Sequence, residues 1–293
     1  MKNKVDFEHL NRWARRQKKK EEKYNMSLET PEMPPFKFEP ENRDGYVAVA
    51  MTASLRNMIS QYTDGQPEHK QMGILRAIVD GIAHFKDAFS KIREPIARAY
   101  NAHRVVDEGM EFEKKKSPEL FKDVSCKAGC THCCHLSVST NEEEAVLLLA
   151  DCFERNISID WSRIEKQASI GDNDIEYLTK LTKDENRCEF LGEDKLCKVY
   201  EHRPNSCRKY LVKNDPADCN TDTRKGTIVL ALKGVELAAS GLMDIDHSKV
   251  GTLPQMLLRA RDKMKMQHCN YCQKSTLTAE GDCTVCGLSK PVI

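Results

Sequence analysis

The apolar positions of this chain fall mostly at helical spacing. Ala48, Met51, Leu55, Met58, Ile59 and Tyr62 share one face of a helix that Gly65 and Pro67 bring to an end. A longer stripe runs through Leu75, Ile78, Ile82, Phe85, Phe89, Ile92 and Ile96 toward Val106. Pro95 removes a backbone donor inside this stripe and predicts a kink there. Together the two segments predict a helical hairpin over residues 46–116, closed by Lys114, Lys115, Lys116, Ser117 and Pro118. Thr140 and Glu143 have the spacing of a capping box, opening a helix whose buried face holds Ala145, Leu148, Leu149 and Cys152. Shorter helices are expected over 172–182, with Ile175, Leu178 and Leu181 aligned, and over 226–241 and 253–266. Residues 188–200, CEFLGEDKLCKVY, depart from the helical period. They alternate around Gly192, Glu193, Asp194 and Lys195 and predict a small β-hairpin.

The first 45 residues read differently. Phe7, Leu10 and Trp13 sit at helical spacing within 2–24, and Arg12, Arg15, Arg16, Lys18, Lys19 and Lys20 form a cationic run free of acids. Pro31, Pro34, Pro35 and Pro40 forbid regular helix over 25–45, which predicts an extended linker. The expected organisation is a basic helical arm (1–24), a proline-rich linker (25–45), the helical hairpin (46–116), a cysteine-rich metal domain (117–266) and a zinc ribbon (267–293). The fold class is mainly α: a helical N-terminal region, an irregular cysteine-rich metal domain with a small β-hairpin, and the ribbon.

Charge adds little globally. The net charge of +1 gives no overall bias toward nucleic acid or membrane, so any such bias is local, in the 12–20 run. That run suits phosphate neutralisation on nucleic acid or docking on an acidic protein surface, although no DNA-binding motif accompanies it. A protein partner is also expected, and Trp13 within the run favours one. The opening MKNKVDFEHLNRWARRQKKK lacks the apolar segment of a secretory leader, and Lys233 and Glu236 interrupt the most apolar stretch, 227–243. No membrane association and a cytoplasmic location are expected, with thiols kept reduced.

That expectation changes how the thirteen cysteines are read. An odd number cannot pair fully within one chain, and clustered reduced thiols call for metal. Cys126, Cys130, Cys133 and Cys134 lie within CKAGCTHCC, where Gly129 permits a tight bend, and Cys188, Cys197 and Cys207 follow. Seven thiols exceed the four that one zinc or one 4Fe-4S cluster takes. Either one centre uses four of them, or two metals share the set. His132 and His135 are expected outside the ligand set, Cys152 in the core, and Cys219 in a loop or as a further ligand. Arg203 and Arg208 flank Cys207, where a cation would offset thiolate charge. In the tail, Cys269 and Cys272, then Cys283 and Cys286, form two CxxC knuckles that close a four-thiolate site. Zinc is expected there, or iron in the same ligand set, and its binding supplies much of the folding energy of so short a segment. With only Lys274 and Lys290 cationic, the ribbon is expected to be structural.

CKAGCTHCC, then Glu142 to Glu144 opening a helix, then CEFLGEDKLCKVYEHRPNSCRKY resemble the YkgJ-type CxxCxxCC cysteine-cluster family of zinc- or iron-chelating domains. The later part is the more specific, through Cys188, Phe190, Leu191, Cys197, Tyr200, Arg203, Pro204, Cys207 and Arg208. The resemblance covers roughly 120–260 and implies metal binding by the cysteines. Some relatives look like flagellin lysine methylases and many carry an iron–sulfur oxidoreductase label. Cys126, Cys130 and Cys133 also have radical-SAM spacing, but no strand–helix alternation follows them. Three functions remain in view: a metal-binding interaction or accessory module, an iron–sulfur oxidoreductase or methyltransferase-like enzyme, and a nucleic-acid-associated accessory protein. No nucleophile–base pair, P-loop or dinucleotide fingerprint is present to name a substrate.

Overall fold

The long apolar stripe of residues 75–106 is split rather than kinked. In the computed structural model, which describes residues 59–60, 62–170, 180–219, 228–246 and 248–264 and the backbone of 267–268 and 275–277, helix α1 (Glu68–Ser90) stops before Pro95 and helix α2 (Pro95–Lys116) starts on it. At the first position of a helix the missing proline N–H costs nothing, and the residue before it prefers extended backbone. Glu94 has that conformation, with φ −84 and ψ 121. The stripe therefore serves two helices, and α2 runs well beyond Val106.

Helices α3 (Glu142–Glu154), α4 (Trp161–Ala168), the single turn α5 (Asn205–Arg208), α6 (Lys233–Met243) and α7 (Leu253–Lys263) complete the mainly helical fold. Strand β1 (Ser139–Asn141) pairs antiparallel with β2 (Val250–Thr252), Thr140 opposite Gly251. This short ladder leads directly into α3 and α7 and holds their N-termini side by side. It also moves the expected helix cap. Because Asn141 is still paired as strand, α3 begins one residue later than the capping-box reading implies. Asn141 is the N-cap, its side-chain oxygen accepting from Glu144 N at 2.9 Å, while the Thr140 hydroxyl donates to the Glu144 carboxylate at 2.6 Å.

Two apolar cores result. Trp161, Ile164, Leu148, Leu149, Phe190 and Leu257 fill one, around α3, α4 and α7. Ile78, Ile82, Phe85, Phe89, Val235 and Leu242 fill the other, between α1 and α6. Helix α2 serves both, with Ile96 and Ala99 in the first and Ala102 and Val106 in the second. Both α1 and α2 pack on α6. The approach of α6 to α1 requires Gly241, where a Cβ would lie 2.5 Å from Phe85 Cβ.

Helix α3 is buried all round rather than on one face, from Glu142 through Ala150. Its three leading glutamates each meet a cation or imidazole on a neighbouring helix. Glu142 pairs with Arg259 at 3.2 Å and Lys263 at 2.5 Å on α7. Glu143 pairs with Arg98 at 2.8 Å, and Glu144 with His103 at 2.9 Å, both on α2. Negative charge in a first helical turn also opposes the positive end of the helix dipole.

The expected hairpin at 188–200 is present in small form. Leu191 and Cys197 form an antiparallel bridge, and Gly192 N donates to Leu196 O at 2.8 Å. The expected helix over 226–241 starts later, because 228–230 are extended. Lys213 N donates to Ile228 O at 2.9 Å, and Leu230 N to Leu211 O at 2.8 Å, so this backbone is committed to sheet-like pairing. The 172–182 helix, apart from its last residues, the basic arm, the linker and most of the 48–62 helix lie outside the described residues. Among the described residues no helix is long and apolar enough to cross a membrane.

Candidate metal centre

The cysteine block is assembled by backbone hydrogen bonds before any side chain is considered. Ser125 N donates to Val212 O at 2.9 Å, anchoring the start of the first stretch. Val212 N donates in turn to Cys126 Sγ at 3.3 Å. Gly129 takes φ 83, a left-handed conformation that glycine adopts freely, and Cys130 N turns back to Lys127 O at 3.0 Å. Residues His132–His135 then form a single 3-10 turn. Cys188 N donates to Cys134 O at 2.7 Å, which joins the first stretch to the 188–200 hairpin. Cys188 and Cys197 lie against the first apolar core.

Cys207 is carried by α5, and α5 is held at both ends. Its first residue, Asn205, donates its backbone N–H to the buried Glu144 carboxylate at 2.7 Å. Beyond its last residue, the buried Lys209 ammonium meets Glu236 of α6 at 2.6 Å. The same Glu144 that opens α3 thus fixes the turn that presents Cys207.

The thiols are electrostatic neighbours, with Cys133 common to them. Negative charge on Cys133 raises the pKa of Cys126, Cys188, Cys197 and Cys207, in each case after burial, which is the larger cause. Burial pushes the Cys188 thiol up to about 12. Cys133 itself is pushed far up, chiefly by a hydrogen bond with the Cys134 thiol. Such thiols stay protonated without a cation, and a bound metal reverses this by stabilising thiolates. The donor set is all soft sulfur, which suits zinc or an iron–sulfur cluster. Among the described residues no three His, Cys, Asp or Glu side chains form a group that could hold a metal ion. The thiols converge as neighbours, not as a closed coordination sphere.

The two flanking arginines divide the work. Arg203 stacks on the Tyr200 ring, 3.8 Å from its centroid, and lowers the pKa of Cys126, Cys133, Cys197 and Cys207. Its Nε is buried without a hydrogen-bond partner. Arg208 turns the other way, to Asp107 at 2.5 Å and to the backbone oxygens of Arg203 and Glu201. His135 faces Lys183 O and Asn186, at 3.1 Å each. Cys152 is fully buried in the apolar core.

Cys219 joins the neighbourhood from a stretch that sequence left open. The turn Pro216–Cys219 packs on the His132–His135 turn. Burial, then the charges of Cys126, Cys130 and Cys133, push its thiol up to about 11. PADC carries no knuckle spacing, so the available signal was only its position after Cys207. Cys269, Cys272, Cys283 and Cys286 lie outside the described residues. Strands β3 (Gln267–His268) and β4 (Ser275–Leu277) pair antiparallel and bracket the first of the two tail knuckles.

Residues 125–224 match the family model CxxCxxCC, described as a putative zinc- or iron-chelating domain. The matched segment contains every thiol from Cys126 to Cys219. Its first spacing is one residue longer than the CxxCxxCC name, and the Lys127–Cys130 turn with its left-handed Gly129 takes up the addition. No curated protein and no solved structure matches the chain. The helices α1 and α2 lie outside the CxxCxxCC segment, although α2 supplies Arg98 and His103 to the glutamates inside it.

Proposed function

We propose that the CxxCxxCC segment is a resident metal centre, zinc or iron–sulfur, and that the chain works as a metal-dependent interaction or accessory module. One observation carries this reading: thiols from three separate stretches, 126–134, 188–207 and 219, feel the charge of Cys133, with Arg203 the cation common to several of them. The ligands are Cys126, Cys130, Cys133, Cys134, Cys188, Cys197 and Cys207, with Cys219 as an eighth. Eight thiols match two four-thiolate centres or one shared pair. Bound metal supplies the positive charge that lets the thiols ionise. The chain's own contribution is to hold the sulfur atoms through the 134–188 backbone bond, the α5 turn and Arg203. The tail knuckles, Cys269, Cys272, Cys283 and Cys286, form a second, structural zinc site. Protein is the expected partner, and nucleic acid binding through 12–20 is the use of the arm that salt titration would reveal.

A second reading, a redox or methyl-transferring iron–sulfur enzyme, draws on the exposure of Cys133, which leaves one side of the block open to solvent. Anaerobic purification with elemental analysis and an optical spectrum separates the two. Colourless protein with stoichiometric zinc supports the scaffold and ends the enzyme reading. Brown, redox-active protein supports the enzyme. Protein that carries neither zinc nor iron under these conditions overturns both.

A further inference from the structure

The thiols of the cysteine block divide between the two apolar cores. Cys126 belongs with the second. Val124, two residues earlier, packs on that core, as does Leu211 beside the Val212 whose N–H donates to Cys126 Sγ at 3.3 Å. The same strip of chain carries Cys219. The Ser125 hydroxyl donates to Asn214 O at 2.6 Å, and the Asn214 side-chain amide donates to the Asp218 carboxylate at 3.1 Å. Cys130 follows Cys126 through the turn closed by Cys130 N and Lys127 O. Cys126, Cys130 and Cys219 are thus held by one backbone unit, 124–130 with 211–219.

Cys188 and Cys197 belong with the first core, on which both pack, as does the fully buried Phe190 between them in sequence. They flank the turn of the small hairpin, which the Leu191–Cys197 bridge and the Lys198 N to Phe190 O bond of 2.8 Å hold closed. Cys207 reaches the same side on α5. Asn205 N is bound to Glu144 of α3, and α3 supplies Leu148 and Leu149 to the first core. Each core therefore supports three of the thiols.

The influence of the thiols on one another follows the same division. After burial, the charges that raise Cys219 are first those of Cys126, Cys130 and Cys133, and those that raise Cys207 are Cys188, Cys133 and Cys197. Cys133 and its neighbour Cys134 stand between the sets, in the His132–His135 turn. That turn packs on the Pro216–Cys219 turn on one side, and on the other Cys134 O accepts from Cys188 N at 2.7 Å. Successive residues of a 3-10 turn project about 120° apart, so these two neighbours suit separate metals better than one. Three thiols on each core and one from the pair make two four-sulfur sets, each the complement of one zinc or one 4Fe-4S cluster. We infer that the block holds two separate centres, one on Cys126, Cys130, Cys133 and Cys219, the other on Cys134, Cys188, Cys197 and Cys207. This division rests on the metal-binding reading proposed above and excludes a single centre common to the block.

The test counts metal in the full chain, purified anaerobically and exposed to a mild chelator, by elemental analysis and native mass spectrometry. Cys219→Ala and Cys207→Ala are compared with the unmodified chain and with the double variant. The tail knuckles contribute equally to all four chains and cancel. Each single substitution removes one centre, half of the metal in the block, and the double substitution removes both. If both single variants lose the same metal and the double loses no more, the division is overturned while the metal-binding reading stands. A folded single variant that loses all of the block's metal overturns the division as well. Equal metal in all four chains means that the block holds none, which overturns that reading too. Should either variant lose its far-ultraviolet circular dichroism, labelling of the unmodified chain with N-ethylmaleimide during slow chelation decides. One set of thiols is then labelled while metal remains on the other, and labels spread evenly over both sets overturn the inference.

Discussion

The start of α3 and the cysteine block both concentrate ionisable groups, and they resolve the problem in opposite ways. In α3 three consecutive glutamates are buried, and each has a cation or imidazole supplied by another helix. In the cysteine block burial and neighbouring thiols together keep the sulfur atoms protonated, and Arg203 is the shared cation. The first region is electrostatically complete within the protein. The second keeps its thiols protonated, and ionising them would take a further cation. Carboxylates matched so closely by the fold, beside clustered thiols held protonated, fit the proposal of an external cation at the sulfur atoms.

The largest effect that would sharpen this contrast is metal removal. Under reducing conditions, a strong chelator should abolish protection of backbone amides over 125–219 and leave those of α1 and α6 protected, as read by hydrogen exchange. Unchanged protection in both regions would mean that the block is self-sufficient after all. Next is Glu144→Ala, which strips His103, Thr140 and Asn205 of their shared acceptor. Breaking a buried pair of this kind costs about 3–5 kcal/mol, measurable as a lower denaturant midpoint. The loss should extend to metal content, since Asn205 opens the turn that presents Cys207.

The same pair sets a pH dependence. Burial depresses His103 below the ordinary imidazole value, so the unfolded chain takes up a proton that the folded chain refuses. Stability from this group is full above about pH 6.5 and is lost as pH falls through and below it. Glu144 is also lowered, by His103, Thr140 and Asn205 against the opposing effect of burial. Its contribution is present above the unfolded carboxyl range and is lost on further acidification. Denaturant midpoints should therefore fall between pH 7 and pH 5, and His103→Gln should flatten that slope. A flat profile in the unmodified protein would remove the pair from the account.

Smaller effects separate two cysteines that look alike in sequence. Cys152→Ser places a hydroxyl in the apolar core and should cost about 1–3 kcal/mol with metal content unchanged. Cys219→Ser should do the reverse, lowering metal content with little direct loss of packing. The smallest effect belongs to the surface: Lys91→Ala, breaking an exposed pair with Asp87, should shift stability by less than about 0.5 kcal/mol.

What the chain reveals by itself depends on the range of the forces involved. The helical period located α1, α2 and α3, because apolar spacing is a local property, and the turn at Gly192 to Lys195 announced its hairpin for the same reason. Pro95 signalled an interruption, but whether it kinks or restarts a helix depends on residues 91–94. Errors came where a distant strand intervened. Asn141 displaced Thr140 as the cap because β2, more than one hundred residues away, pairs with it. Residues 228–230 left the expected helix because 211–213 claimed their backbone. The sulfur-rich character of the block was legible at once from CKAGCTHCC. The opposite fates of Arg203 and Arg208, the arrival of Cys219 and the pairing of His103 with Glu144 were not, since each is decided by tertiary contact.

The β1–β2 ladder has a bearing on how the chain is made. It cannot form until Val250 to Thr252 have been synthesised, and it closes a long loop, which is slow compared with local helix formation. Every sulfur from Cys126 to Cys219 emerges before that closure. At ordinary rates of translation the nascent thiols wait for seconds, on the order of the time needed to add some thirty residues, without the ladder that aligns α3 and α7. For a chain that takes metal as proposed, its delivery and protection from oxidants are thus most consequential during birth, not in the finished molecule.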